Sequence, residues 1–467
     1  MIIAYRPTSV VQLPELRSFL LNTAAFKSGI STPTAFLEQC LAAIEEKERD
    51  IAAFVALDIE RARKAAADST LRWQAGAELS PIDGMPIGVK DIIETASMPT
   101  AEGSPLFEGR RTNRDAAAVA ALRAAGAIVL GKTVTTEFAA VFPGPTRNPW
   151  DLHRTPGGSS SGSAAAVGCG MIPVGLGTQV IGSTIRPASF CGCYGFKPSV
   201  HALNRGGSFD VKSHSVTTVL AASLQEAWVV ARQIALRAGG DYGHAGLQGP
   251  MDPPSRRRPD SIIVLETAAW ETVSEASRFA FEKVVDVLRD AGIRIYNRRI
   301  SAVVAAAEDA LLTANSLAGQ INIWEDQWPL NTYARDMDAS KLSEVMRRRL
   351  QSASDMSQEK YGACLRERAT VRRIYETLAT VGEACLTLSA SGPAPVGLGS
   401  TGDPSFAIPA SLLGVPAVSV PGMLVENLPV GLQLMGFRGK DSSLFSAAAF
   451  LDEIVAQLSA KRASRRY

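Results

Sequence analysis

The chain has 467 residues, 46% hydrophobic and 20% charged, which suits a globular protein with a large core and argues against disorder. With 48 basic and 46 acidic residues the net charge is +2, so no strong field draws the chain towards nucleic acid or an anionic membrane. The opening residues, Met1 to Leu21, lack the marks of a signal peptide, and no apolar run reaches the roughly 18 residues of a membrane span, so a cytoplasmic protein is expected.

Six cysteines (Cys40, Cys169, Cys191, Cys193, Cys364, Cys385) are sparse for this length and read as buried thiols. Four histidines (His153, His201, His214, His244), with no His-Glu-x-x-His or paired Cys-x-x-Cys, offer little to build a zinc site from, and neither metal nor cofactor is expected. The basic tail Lys461, Arg462, Arg465 and Arg466 reads as a frayed end.

In chain order, Thr32-Pro33 predicts an N-cap and a first helical position, with Phe36, Cys40 and Ile44 on one face of the helix that follows. A second helix is expected over residues 59–74, a buried strand containing Lys90 over 85–93, a helix over 115–125 and a strand over 127–131. After a glycine- and serine-rich stretch, helix and strand patterns alternate: helix 224–236, strand 261–265, helix 272–291, strand 293–296. Residues 302–384 read as almost wholly helical, with Arg347, Arg348 and Arg349 as a solvated face. Strands are then expected over 385–390, 417–420 and 429–437, a helix leading from 403 to 413, and a closing helix over 442–458. Such alternation predicts an α/β fold, and without a Pro- or charge-rich divider one continuous domain over 1–467 is expected. Within it lie an N-terminal helical segment over 1–82, a core over about 83–433 and a helical cleft-forming region over about 302–384.

The stretch from Thr155 to Pro198 is dense in glycine, serine and alanine, yet it carries Val167, Met171, Ile172, Leu176, Phe190 and Phe196, which a flexible linker would not bury. Its hydroxyls Ser159, Ser160, Ser161, Ser163 and Ser183 are candidate nucleophiles and proton carriers. Gly158-Ser-Ser160-Ser-Gly162 matches the nucleophile elbow of α/β-hydrolases, but that fold places its histidine after the acid, and no histidine follows His244. Lys90, inside an apolar strand, is either a neutral base or the partner of a carboxylate such as Asp91.

The run Pro156-Gly-Gly-Ser-Ser-Ser-Gly-Ser163, followed by Gly177-Thr, Gly182-Ser183, Arg186-Pro187-Ala188, Cys191-Gly192 and Gly195-Phe-Lys-Pro198, closely resembles the amidase signature enzymes. Gly84-Met-Pro-Ile-Gly-Val-Lys-Asp91, Gly131-Lys-Thr, Gly402-Asp-Pro-Ser-Phe and Leu428-Pro-Val-Gly-Leu-Gln433 extend the resemblance in the right order along the chain. It implies a large mixed central β-sheet covered by helices on both faces. It further implies a Ser-cisSer-Lys triad of Ser183 as nucleophile, Ser159 as bridging serine after a cis bond, and Lys90 as base. The two serines stand 183 − 159 = 24 positions apart, the family's usual separation.

Main-chain amides of Val180, Ile181, Gly182 and Ser183 would form the oxyanion hole, and Arg186 and Ser160 are the expected substrate contacts. Arginine at the third position after Ser183 resembles the malonamidase-type branch, in which it can hold a carboxylate. Gln179 stands where the family commonly has aspartate, and the segment from Ser215 to Leu220 lacks the aspartate and glycine usual there.

The function implied is hydrolysis of a small amide, carbamate or urea-type bond, with a small-molecule substrate and neither nucleic acid nor membrane as partner; a homodimer is left open. One alternative is the glutaminase component of a tRNA-dependent amidotransferase. Another is a non-catalytic binding protein on the same fold, against which the intact Lys90, Ser159 and Ser183 argue.

Overall fold

Burial alternates along the strands, and this alternation organises the molecule. The computed structural model describes residues 15–464. Residues 1–14 of the stretch read as free of a signal peptide, and the side chains of Lys461, Arg462, Arg465 and Arg466, lie outside the described residues.

Eleven strands form one sheet: β1 (Phe54–Leu57), β2 (Pro86–Lys90), β3 (Ile128–Thr133), β4 (Val174–Gln179), β5 (Tyr194–Lys197), β6 (Val216–Ala221), β7 (Ser261–Val264), β8 (Arg294–Tyr296), β9 (Cys385–Leu388), β10 (Ala417–Val425) and β11 (Leu428–Met435). Their order is β1-β3-β2-β4-β6-β5-β10-β11-β9-β7-β8. Strands β3, β2 and β4 run parallel, as do β9, β7 and β8, while the middle of the sheet is antiparallel. The fold is thus α/β with a mixed sheet, as expected.

Successive residues of a strand point to opposite faces. On β3, Val129 joins the core shared with Trp228 and Phe445, while Ile128 and Leu130 join the one built on Ala164 to Val167. On β7, Ile262 and Val264 face the first core and Ile263 a third, beneath the helices of 302–384. Helices therefore cover both faces.

Element types hold while boundaries move. Thr32 caps the helix Pro33–Ile51 by accepting from Ala35 N at 3.0 Å. The helix expected from residue 272 begins at Glu275, because the Ser274 hydroxyl accepts from Ser277 N and starts it there. β10 runs on past Pro421-Gly422 and turns into β11 through Glu426 and Asn427, both at positive φ (54° and 62°), the geometry a tight hairpin demands. All six cysteines are free and buried. Among the described residues no helix is long and apolar enough to cross a membrane, and no cluster of three or more His, Cys, Asp or Glu is placed to hold a metal.

Candidate active site

Strand β2 ends at Lys90, and its side chain, fully buried, lies beside β4. Lys90 Nζ donates to Ser159 Oγ at 2.6 Å and to Thr178 Oγ1 of β4 at 2.9 Å. Burial pushes the amine down from its ordinary 10.5 to about 7, opposed by the negative charge of Asp210. The expected alternative, a pairing of Lys90 with Asp91, is overturned: Asp91 reaches Lys132 Nζ on β3 at 2.9 Å. Neighbouring residues of extended chain point opposite ways, so the carboxylate next to Lys90 in sequence turns to the other side.

Ser159 lies in the loop ahead of the helix Ser161–Gly168, and the Gly158–Ser159 peptide bond is cis. Gly157 before it sits at φ 81°, where a Cβ would come within 2.9 Å of Pro187 Cα, so glycine is needed on both counts. Ser160 N donates to the Ser183 carbonyl at 3.2 Å and joins the two serine loops. The other hydroxyls of the run serve the scaffold. Ser161 Oγ bonds the Val134 carbonyl at 3.3 Å, and Ser163 Oγ contacts Thr133 Oγ1 at 2.6 Å and the Leu176 carbonyl at 2.9 Å. Ser160, expected at the substrate, donates to the Thr178 carbonyl at 3.3 Å and accepts from Thr178 N at 3.4 Å, so its hydroxyl fastens β4.

Ser183 follows β4 and precedes the helix Ile185–Cys191. It lines a cavity of about 570 Å³ together with Val180, Ile181 and Arg186. Among the described residues, the main-chain amides of Ile181, Gly182 and Ser183 have no hydrogen-bond acceptor in the protein. The loop is held from below by Gln179, whose Oε1 accepts from Thr184 N at 2.9 Å and Ile185 N at 3.0 Å while its Nε2 donates to Ser411 Oγ at 3.0 Å. A neutral amide thus supplies the acceptor where the family commonly has aspartate.

Arg186 is 4% exposed, and burial pushes its guanidinium down to about 10. Nη2 donates to the Gly158 carbonyl at 2.7 Å and to Thr401 Oγ1 at 3.0 Å, whereas Nε has no partner.

The geometry brings Lys90, Ser159, Ser183 and the loop 180–183 to one end of β2 and β4. A sequence model of the amidase family matches residues 35–445. The chain belongs to the amidase signature family. It is similar to the first of the glutamyl-tRNA(Gln) amidotransferase's subunits, the A component, from Anaeromyxobacter sp. strain K, 31% identical over 472 aligned residues that cover 91% of this chain and 93% of that protein. Its fold is similar to a crystal structure of an amidase, with TM-score 0.79 and 27% identity over 93% of this chain and 99% of that one. The peptide amidase from Stenotrophomonas maltophilia gives 0.74 and 26%, over 93% and 96%. The protein is therefore an amide-cleaving hydrolase of this family.

Two features of the amidase site escape the sequence reading. Thr178, the second hydroxyl on Lys90, stands inside the quoted Gly177-Thr motif, so its signal is present in the sequence but its side chain's direction is not. Arg349, expected on a solvated face, turns inward to Asp326 and lines the cavity, because a helical run of three arginines cannot keep every member outside. Arg348 does stay at the surface, paired with Glu344.

Proposed function

We propose that the protein hydrolyses a small amide through an acyl-enzyme on Ser183, with Ser159 as proton relay and Lys90 as base. The observation that carries this reading is the buried Lys90 amine bonded only to hydroxyls, one of them Ser159, and held near pKa 7. As Ser183 Oγ attacks the amide carbonyl carbon, its proton passes to Ser159 and that of Ser159 to Lys90. The amides of Val180, Ile181, Gly182 and Ser183 receive the negative oxygen of the tetrahedral intermediate, where each lost donor raises the barrier by about 3 kcal/mol. The C–N bond then breaks, and the proton returns through Ser159 to the departing amine. Water enters by the same relay in reverse, which frees the acid and restores Ser183.

Carbamate and urea-type bonds obey the same chemistry. Arg186 at the cavity, with an unpartnered Nε, is offered to a substrate carboxylate. Helices of the 302–384 region contribute Asn322, Trp324 and Tyr361 to the same cavity, consistent with one domain whose helical part shapes the cleft. This reading places the enzyme in the cytoplasm, with a small molecule as its partner.

The test is ammonia or amine release across malonamate-like acids, neutral aliphatic amides, aryl amides and carbamates. Ser183→Ala is expected to abolish hydrolysis, and wild-type turnover in that variant overturns the assignment. If acidic amides are not preferred over neutral ones of equal size, the role of Arg186 falls.

A second reading, the glutaminase component of a tRNA-dependent amidotransferase, is favoured by the 31% identity to such a protein over 91% of the chain. It predicts ammonia release from glutamine that depends on companion subunits. Brisk turnover of simple amides by the isolated chain contradicts it.

A further inference from the structure

The charged groups around the cavity differ in how they are satisfied. Asp326 is saturated, accepting from both Lys212 and Arg349. Glu325 accepts from Ser213 N at 2.9 Å and from the Tyr361 hydroxyl at 2.8 Å. Asp210 lines the same cavity, is 4% exposed, and among the described residues neither of its carboxylate oxygens has a hydrogen-bond partner. Asn322, also in the lining and 3% exposed, likewise leaves its Oδ1 unpartnered.

A buried carboxylate without donors is costly, and the cost is recovered when a cation or a set of N–H groups meets it. Neighbouring groups do not supply that cation. Lys212 is committed to Asp326, and Lys90 is hydrogen-bonded to Ser159 and Thr178. Nor does the Asp210 side chain fasten its own loop, which is tied through the main chain: Asp210 N donates to Ser208 Oγ at 3.4 Å and its carbonyl accepts from Ser215 Oγ at 2.8 Å. What remains is a set of acceptors, in the cavity that Ser183 lines, waiting for donors.

We propose that Asp210, assisted by Asn322 Oδ1, is a subsite for an ammonium group on the acyl portion of the substrate, so that the preferred amides are those of amino acids and related amino acyl compounds. This deepens the amide-hydrolase reading and rests on it. It is independent of Arg186: an acyl chain with both an ammonium and a carboxylate would engage both residues, one with only an ammonium would engage Asp210 alone.

The experiment compares kcat/KM for ammonia release from butyramide, 4-aminobutyramide and succinamate, with wild type and Asp210→Asn. The primary amides all lose ammonia, so the ammonium of the second probe can lie only on the acyl side. Wild type is expected to favour 4-aminobutyramide over butyramide by about a hundredfold, the scale of a buried charge pair, and Asp210→Asn to bring that ratio near unity. Because Asp210 also acts on Lys90 through its charge, the ratio is read across pH; an effect confined to Lys90 shifts all substrates alike and leaves the ratio intact, which overturns the subsite. Equal wild-type rates on butyramide and 4-aminobutyramide, or a preference for succinamate over both, overturn the subsite while leaving amide hydrolysis standing. Release of ammonia from none of the three overturns the small-amide reading and the subsite with it.

Discussion

Two buried lysines on neighbouring parallel strands meet opposite surroundings. Lys132 on β3 is matched by the Asp91 carboxylate at 2.9 Å, with the Thr100 hydroxyl at 2.6 Å and the Pro99 carbonyl at 3.1 Å completing its donors. Lys90 on β2 meets only the hydroxyls of Ser159 and Thr178. Burial pushes both amines down, but at Lys132 the adjacent carboxylate pulls back, while Lys90 is left at about 7. A buried lysine with a carboxylate is a structural cation; one among hydroxyls can exchange a proton near neutral pH.

The contrast can be broken by treating the two residues alike. Lys90→Met is expected to lower kcat/KM by about a thousandfold or more, within the range of general-base catalysis, with little change in stability, because methionine fills the space with nothing to desolvate. Lys132→Met leaves the Asp91 carboxylate buried without its cation and is expected to cost about 3–5 kcal/mol, read as a lower urea midpoint. If Lys90→Met unfolds the protein and Lys132→Met does not, the roles are reversed.

Acidity gives a third test. The base must be unprotonated, so kcat/KM is expected to fall about tenfold for each pH unit below about 7 and to level off above it. Lys90→Met should abolish that dependence along with the activity. A profile flat down to pH 5 would contradict the assignment.

Smaller effects are expected around the serine loops. Gln179→Leu strips the acceptor from Thr184 N and Ile185 N, at a cost of about 1–3 kcal/mol, and lowers kcat more than it raises KM because the loop carrying Ser183 loosens. Thr178→Val removes one hydroxyl from Lys90 and is expected to cost about 1 kcal/mol, seen as a severalfold loss of rate.

Much of this site was legible in sequence because its parts are local patterns: lysine in an apolar strand, serines among glycines, and the fixed spacing between two of them. Strands β4, β5 and β6 were not legible. Gly175, Gly177 and Gly195 interrupt apolar alternation with residues that weaken a strand, and in the structure they let Ser163, Ser160 and Ala188 pack against the sheet, with a Cβ at these positions meeting them at 2.7–2.8 Å. Partners far apart in the chain were equally invisible. Asp91 joins Lys132, Arg349 joins Asp326, and Gln179 joins Ser411, contacts fixed by strand pairing and helix packing rather than by spacing. Asp210 carried no motif at all; its meaning comes only from the cavity that it lines.

The most direct test of the account is the rate at which a fluorophosphonate labels the protein, with the modified peptide mapped by mass spectrometry. Labelling at Ser183 that rises with pH through about 7, is lost in Lys90→Met and persists in folded Lys132→Met is the predicted result. Labelling at another serine, or labelling of Ser183 that Lys90→Met leaves unchanged, would contradict it.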